Sequence, residues 1–178
     1  MKSVFNFSMK KILPILLIAF LFFYVASCEK DDICVDGDTP LLVIGFFDAD
    51  NPTEPKEVPS LRVKEVVLDQ NINTITDRAS NLDSIGIPLR IDTTSTQFSF
   101  ITNSADDDTT GEETGNVDIL TVSYSMQEKF VSRACGIVAN YEEINVALPD
   151  NPENWIKDID VVQQKVENSN NIHVKIFH

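Results

Sequence analysis

The chain has 178 residues, 43% of them hydrophobic, and Lys+Arg 14 against Asp+Glu 28 give a formal charge of −14. That length suits one domain with a real core, and the carboxylate excess excludes nucleic acid as a partner, because phosphate binding needs a basic face. Two His, one of them the last residue, leave little for His-based catalysis or metal ligation, and Gly 6 and Pro 8 are too few for a disordered or collagen-like chain.

The first elements read as an address. Lys2, Lys10 and Lys11 precede a continuous apolar run, Ile12 to Val25, interrupted only by Pro14. The run is about half to two-thirds of the ~20 apolar residues that span a bilayer, which suits a signal peptide better than a single-pass anchor. It ends in Val25-Ala26-Ser27-Cys28, an aliphatic residue, two small ones and a cysteine, the pattern of the bacterial lipobox. Residues 1–27 are therefore expected to be removed and Cys28 to be acylated. Loss of the three lysines moves the formal charge from −14 to −17. Each buried CH₂ of an acyl chain contributes ~0.8 kcal/mol, so several chains hold a protein to lipid durably. Behind Cys28 stand Glu29-Lys30-Asp31-Asp32. A Lys followed by two acids there resembles the surface-export signal of Bacteroidetes-type lipoproteins and points to the cell surface; an ordinary solvated tether is the alternative.

Cys34 and Cys135 remain, with no C-x-x-C and no neighbouring His to suggest redox or metal chemistry. In an exported protein a Cys34–Cys135 disulfide is the economical expectation, two free buried thiols the alternative. The disulfide would leave residues 28–33 as the whole tether, at most ~20 Å when extended.

From Cys34 to the C-terminus the pattern is β. Leu41 to Phe47 is a continuous apolar run closed by Asp48-Ala49-Asp50-Asn51-Pro52, a buried strand and a loop. Leu61 to Leu68 predicts a strand with Leu61, Val63 and Glu65 on one face. Asn71 to Ser84 is polar and shows no element. Ile85 to Ile91 predicts a strand that Pro88 pushes to an edge. Thr96 to Thr102 places Phe98 and Phe100 together, and Asn103 to Asn116 is an acidic loop. Leu120, Val122, Tyr124 and Met126 alternate with polar residues in the cleanest strand. Cys135, Ile137, Ala139 and Tyr141 share a face on the next, which Ile144 to Leu148 extends or neighbours. The last stretch, with Ile172, Val174 and Ile176 alternating, predicts a terminal hairpin, with a short helical turn at 152–156. Seven or eight strands over 34–178 and no long helix predict an all-β fold, an antiparallel β-sandwich in one domain. It is not an immunoglobulin domain: no Trp lies between the two cysteines and Arg133 replaces the Tyr expected two residues before the second.

Chemistry is sparse. Asp48, Asp50 and Asn51 in one loop, and Asp106, Asp107, Asp108, Glu112 and Glu113 in another, offer oxygen ligands suited to calcium, with Asp48, Asp50, Asp106 and Asp108 the candidates. Neither loop matches an EF-hand, and a solvated acidic loop is the simpler expectation. There is no G-x-S-x-G, no H-E-x-x-H and no phosphate-cradling glycine loop, so no catalytic residue is assigned. His173, on a predicted strand beside Lys175, is expected at the surface or rim. Asp83-Ser84-Ile85, Asp92-Thr93-Thr94 and Asp108-Thr109-Thr110 match a short Bacteroidetes O-glycosylation pattern, which makes Ser84, Thr93 and Thr109 candidate glycan acceptors, Thr109 the most accessible.

The lipobox with early Cys34, Phe98-Ser99-Phe100, the segment Val131-Ser132-Arg133-Ala134-Cys135-Gly136 and the closing His173-Val174-Lys175-Ile176-Phe177 together resemble a family of uncharacterised Bacteroidetes outer-membrane lipoproteins, a domain of unknown function. The resemblance implies a protein that accompanies outer-membrane β-barrels as an accessory subunit, with the barrel-assembly machinery as the kind of complex meant. It carries no catalytic residues over. The expectation is thus a non-catalytic structural lipoprotein, anchored in the outer membrane and docked on an integral β-barrel protein or its complex. A ligand-binding module for glycan or calcium is the alternative; it would use the Asp48 and Asp106 loops and exposed aromatics, Trp155 and Tyr141 being the residues to inspect.

Overall fold

The structure, a computed structural model, describes Cys34 and residues 38–178. The signal peptide, Cys28 and the export-signal residues Glu29, Lys30, Asp31 and Asp32 lie outside the described residues. Nine strands follow in chain order: β1 (Leu42–Phe47), β2 (Arg62–Glu65), β3 (Gln70–Asn71), β4 (Ser84–Ile87), β5 (Ser95–Thr102), β6 (Asn116–Ser132), β7 (Gly136–Ala147), β8 (Asp158–Val161) and β9 (Val174–Phe177). They form a four-stranded sheet in the order β4-β1-β9-β8 and a five-stranded sheet in the order β3-β2-β5-β6-β7. Among the described residues there is no helix.

One core lies between the sheets. Leu42, Ile44 and Phe46 of β1, Ile85 and Ile87 of β4, and Val174 and Ile176 of β9 supply one wall. Leu61, Val63, Phe98, Phe100, Leu120, Val122, Tyr124, Tyr141 and Ile144 supply the other. The two-residue alternation written in the sequence is the cause: every second side chain must leave water together, and each large aliphatic or aromatic one contributes about 1.5–3 kcal/mol on burial.

The sandwich departs from pure antiparallel order at its centre, where β1 and β9 run parallel, Ile44 opposite Val174 and Phe47 opposite Phe177. A second departure is a bulge in β7. Ser123 pairs with Asn145 and Ser125 with Glu142, so Glu143 and Ile144 together face the single residue Tyr124. Glu143 takes the left-handed conformation this needs, at φ 57°. The bulge switches the inward parity of β7, so Ala139 and Tyr141 point to the core on one side of it and Ile144 on the other. The two apolar patterns of residues 135–148 therefore belong to one strand.

Three expectations are corrected. The strand predicted to reach Ile91 ends at Ile87, because Pro88 has no N–H to continue the ladder and the chain crosses to the other sheet. β4 is nonetheless an edge strand, as Pro88 suggested. Residues 152–156 form a turn and bend without a helix; Trp155 is buried there, its Nε1 donating to Phe100 O at 3.1 Å. His173 is not at the rim but 1% exposed. It stands just before β9, where its N–H donates to Val43 O and its Nδ1 accepts from Val43 N–H at 3.0 Å. Burial lowers its pKa, so the ring stays a neutral acceptor.

The crossover after β4 is held from beneath by two tyrosines. Tyr141 Oη donates to Leu89 O at 2.9 Å and Tyr124 Oη to Arg90 O at 2.8 Å, and their rings meet edge to face, centroids 5.1 Å apart. Burial pushes the Tyr141 hydroxyl up to about 12. Tyr141→Phe leaves Leu89 O buried and unpaired, so urea unfolding should show a loss of about 1–3 kcal/mol. A variant as stable as the parent would show that this hydrogen bond does not hold the crossover.

Candidate functional site

Two ends of the sandwich carry the residues the sequence singled out. At one end the connections Asp48–Ser60 and Asn103–Gly115 meet, Asn103 N–H donating to Pro59 O and Ser104 N–H to Ser60 O. The Asp48 carboxylate is used locally: it accepts from Asp50 N–H at 2.8 Å and pairs with Lys56 at 3.3 Å. Those contacts, the Asp50 N–H foremost, hold its pKa below the usual carboxylate range. Asp50 and Asp108 are exposed.

The second loop is organised by arginines. Arg62 of β2 makes a forked contact to Asp77 and reaches Glu113 at 2.9 Å. Arg78 hydrogen-bonds Asp106. Burial alone would raise the Glu113 carboxyl, but hydrogen bonds from Gly115 N–H, Ser104 Oγ and Ala105 N–H and the charge of Arg62 outweigh it and hold it low. Gly115 is needed for this turn: a Cβ there would lie 2.7 Å from Thr102 O and 2.5 Å from Ile101 Cγ2. Asp107 turns its carboxylate back onto the N–H groups of Thr109 and Thr110. The acidic loop is thus a folded structure built on ion pairs within the chain. Among the described residues no group of three or more His, Cys, Asp or Glu is arranged to hold a metal ion. The four calcium candidates are not brought together: Asp48 and Asp106 are each engaged by a cation, in separate clusters.

Of the candidate glycan acceptors, Ser84 and Thr109 are exposed, while Thr93 is half-buried with its hydroxyl on the backbone of Ser95. Tyr141 and Trp155 are both core residues, so neither offers a ring face to a sugar.

At the other end β6 and β7 run on as a ribbon. β5 covers β6 only as far as Ser123, whereas β7 follows it to Ser132. Cys135, in the turn at the ribbon's tip, is bonded to Cys34, with Cα atoms 4.9 Å apart and 101 positions between them in sequence. An isolated two-stranded ribbon is marginal in water, so this bond and the packing at the ribbon's base are what hold it.

The fold and these two ends define an all-β sandwich whose N-terminal segment is stapled to a projecting hairpin. Over residues 60–178 the chain matches the family of unknown function DUF6452, and it belongs to that family. The matched region holds β2 to β9 and Cys135; β1 and Cys34 precede it. No curated protein matches the chain, and neither does any solved structure.

Two measurements check the ends. In Glu113→Gln the amide must turn its NH₂ toward two donors, either Ala105 and Gly115 N–H or Ser104 Oγ and Arg62. A loss of about 1–3 kcal/mol is expected at neutral pH. Because the folded carboxyl lies below its ordinary 4.5, its contribution is complete above that pH and is lost as pH falls through the folded value. The gap between parent and variant should therefore close in acid; a gap that is constant with pH contradicts the assignment. Removing the disulfide with Cys34→Ser and Cys135→Ser together should cost up to ~4.7 kcal/mol on the loop-entropy estimate, read as a shift of the denaturant midpoint.

Proposed function

We propose that the protein is a non-catalytic lipoprotein of the outer membrane, exposed at the cell surface, that serves as a structural accessory subunit of a membrane β-barrel complex, barrel assembly being the kind of complex meant. The lipobox ending at Cys28 and the charged segment Glu29 to Asp32 support the membrane address. The observation that carries the reading furthest is the bond between Cys34 and Cys135. With it, only six residues separate an acylated Cys28 from a folded attachment point, a reach of about 20 Å. A sandwich held that near to lipid suits a partner embedded in the same membrane.

The ligand-binding alternative finds less support. Its aromatics are in the core, and several carboxylates of both loops are paired with Lys56, Arg62 and Arg78. Purification of the tagged protein from native membranes in mild detergent tests the reading. Recovery with an integral β-barrel protein is the expected outcome, together with an intact mass that includes acyl chains on Cys28. Recovery as a free monomer alone overturns the docking role.

A further inference from the structure

The tip of the β6–β7 ribbon carries a pair of apolar side chains that none of the described residues covers. Phe130 and Ile137 sit directly opposite each other across the ribbon. They are 66% and 63% exposed; among the described large apolar residues only Val67, at 69%, is more so. Both continue the alternation that faces the core, Phe130 after Tyr124 and Met126, Ile137 before Ala139 and Tyr141, at a level where no second sheet lies over them. Cross-strand aromatic and β-branched neighbours form one continuous apolar surface.

Charge near the tip is mixed. The segment Gln127–Gly136 contains two cations, Lys129 and Arg133, and one acid, Glu128, while the segment fastened there, residues 29–38, holds five acids and one lysine. The acidic loop that ends at Gly115 precedes the opposite end of β6, 17 residues away along the strand. At ~3.3 Å per residue that is about 50 Å. Such a separation is several Debye lengths at physiological salt, so the loop's carboxylates do not repel a lipid surface touched by the tip. The third observation is covalent: Cys135, at the tip, is where the N-terminal segment is fastened.

We infer that the ribbon tip is a membrane-docking element: Phe130 and Ile137 enter the boundary between headgroups and acyl chains, and Lys129 and Arg133 lie against lipid phosphates. The inference rests on the acylated-Cys28 reading for the tether, and goes beyond it in naming a second contact with the bilayer. A short tether brings the tip to the surface; two apolar side chains alone would bind weakly, but beside a lipid anchor they act at high local concentration. Both attachments lie at one end of β6, and the acidic loop lies at the other, away from the membrane contact.

Tryptophan at the tip reports this. Phe130→Trp and, separately, Ile137→Trp are made in the mature protein purified from native membranes, with Asp108→Trp in the acidic loop as the distant control. Each is reconstituted into vesicles of phosphatidylethanolamine and phosphatidylglycerol doped with brominated phosphatidylcholine. Parent protein, whose one tryptophan is the buried Trp155, supplies the background, and thermal melting confirms folding of each variant. Emission at 130 and 137 is expected to shift to the blue and to be quenched at least about twofold more than at 108. Quenching at both tip positions no greater than at 108 overturns the inference, whatever protein the tip then contacts. Intact mass of the same samples reads the anchor separately. Acylated protein with an unquenched tip removes the docking element and leaves the lipoprotein reading standing. Unmodified Cys28 with a quenched tip removes the anchor and supports the tip.

Discussion

The length and orientation of β6 constrain everything else. Its inward side chains Leu120, Val122 and Tyr124 lie in the five-stranded sheet between β5 and β7. Its first half is a core strand and its second half a projecting arm. The acidic loop sits before its start and the disulfide after its end. One strand therefore sets both the hydrophobic register of the sandwich and the distance between its two chemically different ends. The bulge at Glu143 reconciles these roles, since it lets β7 follow β6 along its whole length while the core changes partners.

Polar groups inside the sandwich tie the crossing segments together. Tyr124 and Tyr141 hold the crossover after β4, Trp155 holds Phe100, and Asp118 accepts from Ile156 N–H at 2.8 Å. His173 substitutes a ring nitrogen for a backbone acceptor beside β1. The bonds to Leu89, Arg90 and Ile156 satisfy backbone groups outside the strand ladders, which is the demand made on any chain that moves between two sheets.

Much of the fold was legible because it is written with period two. Phe98 and Phe100, the Leu120–Tyr124 series, Val174 and Ile176, and Leu61, Val63 and Glu65 all face inward as their spacing predicts. Glu65 illustrates how a polar residue can occupy such a place: Arg90 stands 3.4 Å from its carboxylate. What spacing could not reveal is pairing over long separations. The parallel β1–β9 contact joins residues 130 positions apart. Glu113 finds Arg62 51 positions away, so an apparently solvated acidic run proves to be an internally paired loop. His173 was placed by alternation at the surface, yet alternation reports only the two faces of a strand and not the chain that folds across its end. The tip pair was hidden in the same way. Ile137 shares the parity of Tyr141, and only the shorter reach of the opposite sheet leaves it in water.

The neighbourhood of β1 and β9 has a temporal consequence. The four-stranded sheet keeps a gap at its middle until Val174 to Phe177 arrive, since they fill the position between β1 and β8. Pairing across so wide a span is slow and comes late. A chain emerging from a ribosome or threading through a translocase would thus leave this sheet open until β9 was released.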